Sequence, residues 1–410
     1  MTVETIFYII IGLTVAEFIF TKVLSYLNTL NWSDKLPKEV EWIYDEKKYK
    51  KSQQYEKAKF KFGTLWSIFS FVLMLLILLF GWFGWLDSFV RGYSENSIYM
   101  ALIFFGIISL IQTIISLPSS YYSTFVIEQN FGFNKMTKAL FFWDMLKSLV
   151  LSFVVWAIML SAIVYIYMLS GAMFWVYASI LIIGFSIFMM MFYSTLIVPI
   201  FNKQTPLESG ELRDEIEKFA KKVWFKLDNT FVIDGSKRSS KANAYFSGIG
   251  SSKRIVLYDT LIKDLEIKEL VAVLAHEIGH YKKKHTLQML AVSVIQTLFM
   301  MFLLGLALSL PQISQALWAE QSSFHVGVIA FGILFTPVSI ILGILSSLMS
   351  RKNEYEADAY AKQHYEEKYL RSALIKLSKN NLSNLRPHSA YEFVYYSHPT
   401  TLKRLAALKK

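Results

Sequence analysis

The chain has no cysteine among its 410 residues. That absence excludes a disulfide scaffold, thiolate zinc sites, iron–sulfur clusters and cysteine-nucleophile chemistry. Charge is also scarce: Asp, Glu, Lys and Arg make up 18% of the sequence, against about 25% in an ordinary soluble domain. Low-complexity tracts and repeat periods are missing as well. Hydrophobic residues reach 54%, aromatics 16%, and mean hydropathy is +0.39. Such a composition excludes a disordered chain and argues against a water-soluble globule.

What the sequence does contain is apolar runs of membrane length. A bilayer crossing needs about 20 apolar residues. Seven runs qualify, at 5–27, 65–87, 98–118, 140–168, 172–200, 287–310 and 325–349. The first is interrupted by Glu17 and Lys22 and has neither the basic lead nor the cleavage site of a signal peptide, so it reads as a span. Net charge is +11, and 39 of the 42 Lys and Arg lie in the loops after spans 1, 3, 5 and 7. Arg91 alone lies on the opposite side, while Lys22 and Lys147 lie within spans. By the positive-inside rule the N-terminus faces outward, and the polar regions 201–285 and 350–410 face the cytoplasm. The basic excess is therefore a topology and lipid-headgroup signal, not a nucleic-acid footprint.

The expected fold is an all-α polytopic membrane protein, with seven transmembrane helices and a mainly helical cytoplasmic domain. Residues 1–200 supply spans 1–5, 201–285 the polar region with the metal motif, 286–349 spans 6 and 7, and 350–410 the C-terminal region that completes the site.

The motif is His276-Glu277-x-x-His280. On a helix, positions i and i+4 share a face, so two imidazoles can grip one ion with Glu277 beside it. Glu266, Lys268, Glu269 and Leu270 lead into an Ala/Leu/Val-rich stretch, which predicts that helix. A catalytic zinc usually has three protein ligands and an open position for water. Without cysteine the third must be His, Asp or Glu. Span 7 returns the chain to the cytoplasmic face near Ser350, four residues before Glu354. Glu354 and Asp358 again share a helical face, so one carboxylate can bind metal while the other holds a ligand histidine. His285 lies about two and a half turns beyond His276, too far along the axis. His325 starts span 7 on the other side of the membrane. His364 and His388 stay unranked. With zinc in place, Glu277 takes a proton from water and returns it to the leaving amine. His398 and Arg404, on the basic C-terminal segment, are candidates to stabilise the tetrahedral oxyanion.

These residues resemble the integral-membrane zinc proteases of the type I CAAX prenyl protease family. Matching stretches include Tyr122–Lys135, Pro199–Leu207, Val232–Phe246, Arg254–Leu261, Leu274–His280, Asn353–Ala361 and Ser397–Leu408, all in the family's order. The resemblance implies one zinc ion per chain on His276, His280 and Glu354, with Glu277 as general base and Asp358 behind the ligands. It implies that His398 and Arg404 help stabilise the transition state. It also implies that Asn243, Ala244 and Tyr245 lie on a strand where substrate backbone pairs by β-augmentation. Seven helices would enclose a water-filled chamber with the zinc site at its cytoplasmic end, and Gln112, Asp144, Lys147, Gln288 and Gln296 would fit its walls. One departure is Lys241-Ala242, where relatives often carry His-Ser.

The leading reading is a membrane zinc endopeptidase that removes the last three residues of prenylated CAAX-type peptides. A broad quality-control protease of membrane proteins would use the same chemistry. A site-2-type intramembrane protease conflicts with Lys282–Lys284, which put His280 at the membrane edge. A transporter or channel with a structural metal would not need Glu277. The expected surroundings are a lipid bilayer and a peptide substrate, without nucleic acid; the sequence leaves the oligomeric state open, a monomer included. The membrane would be a bacterial inner membrane, as the Lys- and Ile-rich composition suggests, or the endoplasmic reticulum of a eukaryote.

Overall fold

A computed structural model of the chain describes residues 1–225, 230–247 and 254–409. Helix α1 (Val3–Thr29) begins at Thr2, whose hydroxyl accepts the Thr5 amide. Asp45 caps α2 (Glu46–Leu79) in the same way, and this helix runs from a charged first half into an apolar second half. The second expected span stops at Leu79, short of residue 87. Gly81 adopts a left-handed φ of 67° that ends the helix, and residues 82–91 turn aside as the amphipathic α3 (Trp82–Arg91). Next come α4 (Ser97–Tyr122), a π-helical stretch Ser123–Glu128, α5 (Gln129–Phe131) and α6 (Lys138–Ser170). A 3-10 turn at Gly171–Met173 leads to α7 (Phe174–Leu196) and α8 (Val198–Phe201).

The polar region carries β1 (Gln204–Pro206), α9 (Glu211–Lys222), β2 (Thr230–Ile233), β3 (Ala244–Ser247), β4 (Arg254–Tyr258), α10 (Asp259–Asp264) and α11 (Ile267–Lys282). The chain then forms α12 (His285–Leu308), α13 (Pro311–Gln315) and α14 (Phe324–His364), followed by α15 (Glu367–Asn380), α16 (Ser389–Tyr395) and α17 (Thr401–Lys409).

Among the described residues, six helical stretches are long and apolar enough to cross a membrane: Val3–Thr29, Glu46–Leu79, Ser97–Phe131, Lys138–Phe201, His285–Leu308 and Phe324–His364. The fourth is 64 residues long and contains both α6 and α7, which pack against one another across the break at Gly171. Only 6% to 17% of the most apolar window in each stretch is buried within the chain. The spans therefore turn most of their surface away from one another, unlike a close-packed bundle.

The sheet has the order β1-β2-β4-β3, with β2 and β4 parallel and the other pairs antiparallel. Its two faces differ. Ile255 and Leu257 join the main core with Leu270, Val271, Leu274 and Ala275 of α11. On the other face Ile233 and Val256 pack with Val198, Phe231, Tyr245 and Tyr258. Asn243 directly precedes β3 and does not lie within it.

The helix α11 forms where the sequence predicts it, and a capping box of Glu266 and Glu269 starts it. The buried Glu269 carboxylate is also held by Ser372 and Lys376 of α15. Within the last turn of α11 the helix meets α14 closely: a Cβ on Gly279 would stand 3.1 Å from both Cα and O of Ala357. Only a residue without a side chain permits that approach. Overpacking of this kind costs about 1–3 kcal/mol. Gly279→Val is therefore expected to lower the thermal midpoint in detergent and to weaken metal retention together. Unchanged values for both would show that the helix crossing does not depend on this contact.

Candidate metal centre and substrate cleft

Because α11 crosses α14 at Gly279, His276 and His280 come to face Glu354. One ligand atom from each of the three lies within 4.8 Å of the others. His276 Nε2 is 3.1 Å from His280 Nε2 and 3.5 Å from Glu354 Oε2, and His280 Nε2 is 3.3 Å from Glu354 Oε1. Ligands at about 2.0–2.1 Å from a tetrahedral ion stand about 3.3 Å apart, so the trio has the spacing such an ion requires. Glu354 is buried, and its Oε2 has no hydrogen-bond partner. A buried carboxylate oxygen left in this way is costly unless a cation completes it. The residues fit a metal ion.

The groups behind the trio orient it. Asp358 Oδ1 accepts from His276 Nδ1 at 2.8 Å, which leaves the Nε2 lone pair turned towards Glu354. Arg404 of α17 grips Asp358 with two bonds, Nε to Oδ2 at 2.8 Å and Nη2 to Oδ1 at 2.6 Å. Its Nη1 stands 3.4 Å from Glu354 Oε2, and its side chain is 12% exposed. Burial and the Arg404 charge push the His276 imidazole down, but the carboxylates of Asp358 and Glu354 beside it prevail and raise it to about 9. Burial likewise favours a neutral Glu354, yet its bonds to His276, His280 and His398 hold the carboxyl far below its ordinary range. The pocket thus attracts positive charge.

His285 has a role that spacing along the helix did not reveal. It stays outside the trio, but its Nδ1 is 3.0 Å from His280 Nδ1, and its Nε2 is 3.2 Å from Glu356 Oε2. His285 begins a new helix after the left-handed Lys284, which turns its ring back on His280. The same break separates α11 from α12, so the motif helix is distinct from the apolar spans. The signal for this role was the second carboxylate, Glu356, two residues after Glu354.

Glu277, His276, His280, Glu354, His398 and Arg404 all line one cleft of about 840 Å³. His398 reaches Glu354 Oε1 at 3.2 Å with its side chain 63% exposed. Asn243, Ala244 and Tyr245 line the same cleft. The Tyr258 amide donates to the Asn243 carbonyl. By the alternation of an antiparallel ladder, the Ala244 amide and carbonyl then face the free edge of β3. The Ala244 amide is covered by Asn243 Oδ1 at 2.9 Å.

Lys241 does not enter the cleft. Its Nζ donates to Glu128 Oε2 at 2.8 Å and to the Tyr55 hydroxyl at 2.9 Å, tying the segment before β3 to α2 and the π-helical stretch. Of the residues expected along chamber walls, Asp144 pairs with Arg238, and Lys147 caps the Ile200 carbonyl. Gln296 bonds Ser346 across α12 and α14, and Gln288 bonds the Lys283 carbonyl.

Fold and site together define a metallopeptidase built into a membrane. Residues 25–203 match the family described as CAAX prenyl protease N-terminal, five membrane helices, and residues 206–410 match peptidase family M48. The chain belongs to peptidase family M48. It is 37% identical to the CAAX prenyl protease 1 of Saccharomyces cerevisiae, over 98% of this chain and 94% of that protein. Against the Homo sapiens CAAX prenyl protease 1 homolog it is 32% identical, over 91% and 88%. The crystal structure of S. mikatae Ste24p superimposes with a TM-score of 0.93 at 35% identity, covering 99% of both chains.

Loss of a group that orients a metal-bound histidine typically costs about 10–100-fold in metal affinity. His285→Ala and Glu356→Ala are each expected to weaken zinc retention by that factor in a chelator competition. Wild-type affinity in both variants would mean that the His280 ring is held by packing alone.

Proposed function

We propose that this chain is a zinc endopeptidase that trims the C-terminus of prenylated CAAX-type peptides. The observation that carries the reading is the meeting of the metal trio and the free edge of β3 in one cleft. A scissile carbonyl needs both, one to react and one to be held.

In this reading His276, His280 and Glu354 hold the ion, and Asp358 and His285 fix the two rings. A bound zinc ion supplies Lewis acidity, polarising a carbonyl and making water acidic near neutral pH. Glu277, beside His276 in the cleft, accepts the proton of the attacking water and passes it to the leaving amine. Arg404 and His398 set positive charge and a ring N–H beside the tetrahedral oxyanion. A substrate backbone pairs with Ala244 at the open edge of β3, displacing the Asn243 carboxamide from that amide. Asn243 and Tyr245 then flank the bound strand.

The membrane architecture in this reading has seven spans, with α6 and α7 counted apart. Five membrane helices in the N-terminal match, followed by α12 and α14, support that number. The family matches meet between residues 203 and 206, which supports dividing spans 1–5 at 1–200 from the protease region at 201–285. Residues 286–349 add the last two spans and 350–410 close the site. In this reading the spans enclose a chamber, and the one-sided basic loops support a cytoplasmic metal site and C-terminus. The full-length likeness to proteins named CAAX prenyl protease supports the substrate class.

Purified protein in detergent is expected to cleave a farnesylated CAAX-type peptide faster than its unprenylated twin. The activity should vanish with a chelator and in Glu277→Gln, which should still bind zinc. Equal cleavage of both peptides would favour a quality-control protease instead. No cleavage of either by the zinc-loaded protein would sink the enzyme reading.

A further inference from the structure

Beside the metal cleft lies a second cavity of about 790 Å³. The two share Met190, Asn243, Tyr245 and Thr286, so they are continuous past the start of β3. None of the metal trio lines the second cavity, and neither does Glu277. It is bounded on one side by the sheet face that carries Ile233, Tyr245 and Tyr258, and on the other by the C-terminal end of α7 through Met189 and Tyr193. Met189 and Tyr193 are four residues apart and so share one face of that helix.

The walls are mainly apolar, with Asn202, Asn243 and Thr286 as polar points, and the one charged residue among them is paired with Asp144. Arg238 donates from Nε and Nη2 to Asp144 of α6 at 2.8 and 3.0 Å, and from Nη2 to the Phe201 carbonyl at 2.7 Å. Arg238 Nη1 keeps no hydrogen-bond partner, but the charge is balanced by Asp144, and a hydrocarbon ligand finds thioether and aromatic surface over most of the remaining wall. Methionine side chains adapt to irregular apolar shapes, and the volume falls within the usual range for ligand pockets, about 300–1,000 Å³.

Strand geometry says which part of a substrate reaches this space. Asn243 and Tyr245 project to the side facing α7, whereas Ala244 projects to the side packed on α11. A peptide paired to the free edge of β3 continues the pleat, so every second side chain points with Tyr245 towards the second cavity. The remaining ones point the other way. Phe188 and Phe192, exposed on the neighbouring face of α7, extend apolar surface away from the cavity along a bilayer helix.

We propose that this second cavity receives the isoprenoid chain of the modified cysteine, with Met189, Tyr193 and Tyr258 selecting lipidated over plain peptide. The assignment rests on the reading of the chain as a prenyl-peptide protease. The cysteine side chain enters from the strand edge, its thioether passes Asn243 and Tyr245, and the hydrocarbon lies between the sheet and α7. The scissile bond stays with the metal trio in the adjoining cleft.

Because the chain has no cysteine, the test can use one introduced thiol. Met189→Cys is purified and assayed before and after reaction with a long-chain alkyl methanethiosulfonate, on farnesylated and unprenylated forms of one peptide. Blocking the cavity is expected to cut the preference for the farnesylated form by about tenfold, mainly through KM, and reductant should restore it. A preference that survives labelling overturns the cavity assignment alone, as does an equal loss with both peptides. Absence of any preference before labelling, in wild type as well, overturns the prenyl-protease reading and the cavity with it. Tyr193→Cys with the same reagent serves as the second site should Met189→Cys fail to fold.

Discussion

The structure depends on the crossing of α11 over α14. Two candidate metal ligands lie on one helix and the third on the other, so their separation is set by how closely the backbones approach. Gly279 against Ala357 sets that approach. The charges around the crossing nearly balance: Glu354 and Asp358 bring two negative charges and Arg404 returns one. A divalent ion would reverse the remaining deficit, and the carboxylate of Glu277 would then cancel the excess. Burying this many charges is justified only as a set, because removing one member leaves its partners desolvated and unpaired. The metal is thus part of the electrostatic closure of the site as well as of its chemistry.

The sheet is the second organising element, and its two faces answer to different neighbours. One face is continuous with the core around α11, which fixes β3 relative to the metal trio. The other looks towards the end of α7 and is held there by Arg238, which reaches Asp144 on α6. A membrane helix therefore positions the segment that leads into β3. Lys241 does the same from another direction, through Glu128 and Tyr55. The polar region is not an independent domain resting on the membrane helices; two ion pairs and the Tyr55 hydroxyl tie the mouth of its cleft to three of them.

Much of this could be read from sequence because the relevant signals are local or strongly periodic. Apolar runs marked the spans, His276 and His280 share a helical face by spacing, and the return of span 7 singled out Glu354. The helix led by Glu266–Leu270 was legible for the same reason. What escaped depends on backbone angles or on contacts between distant segments. Gly81 in a left-handed conformation ends α2 within an unbroken apolar run, so hydropathy carried the span too far. His285 looked remote when measured along one continuous helix, whereas Lys284 breaks that helix and folds the ring back. The direction of Lys241 and the pairing of Asp144 with Arg238 join residues about 100 positions apart, beyond any periodicity.

The length of α14 raises a last question of register. It has 41 residues, about 60 Å at 1.5 Å per residue, roughly twice the hydrocarbon thickness of a bilayer. A slippery apolar helix would place Glu354 poorly, since one residue of slip moves it by about 1.5 Å and swings it by about 100°. Both ends are pinned by buried polar contacts. At the start, Asp87 of α3 accepts from Ser323 at 2.8 Å and His325 at 2.7 Å, and Arg91 closes the other carboxylate oxygen at 2.8 Å. At the far end Glu354 and Asp358 are locked by His276 and Arg404. Between them lies apolar surface that specifies depth only loosely. The two polar clasps therefore do what hydrophobic packing in a membrane does poorly: they fix the rotation and height of the helix that brings Glu354 to His276 and His280.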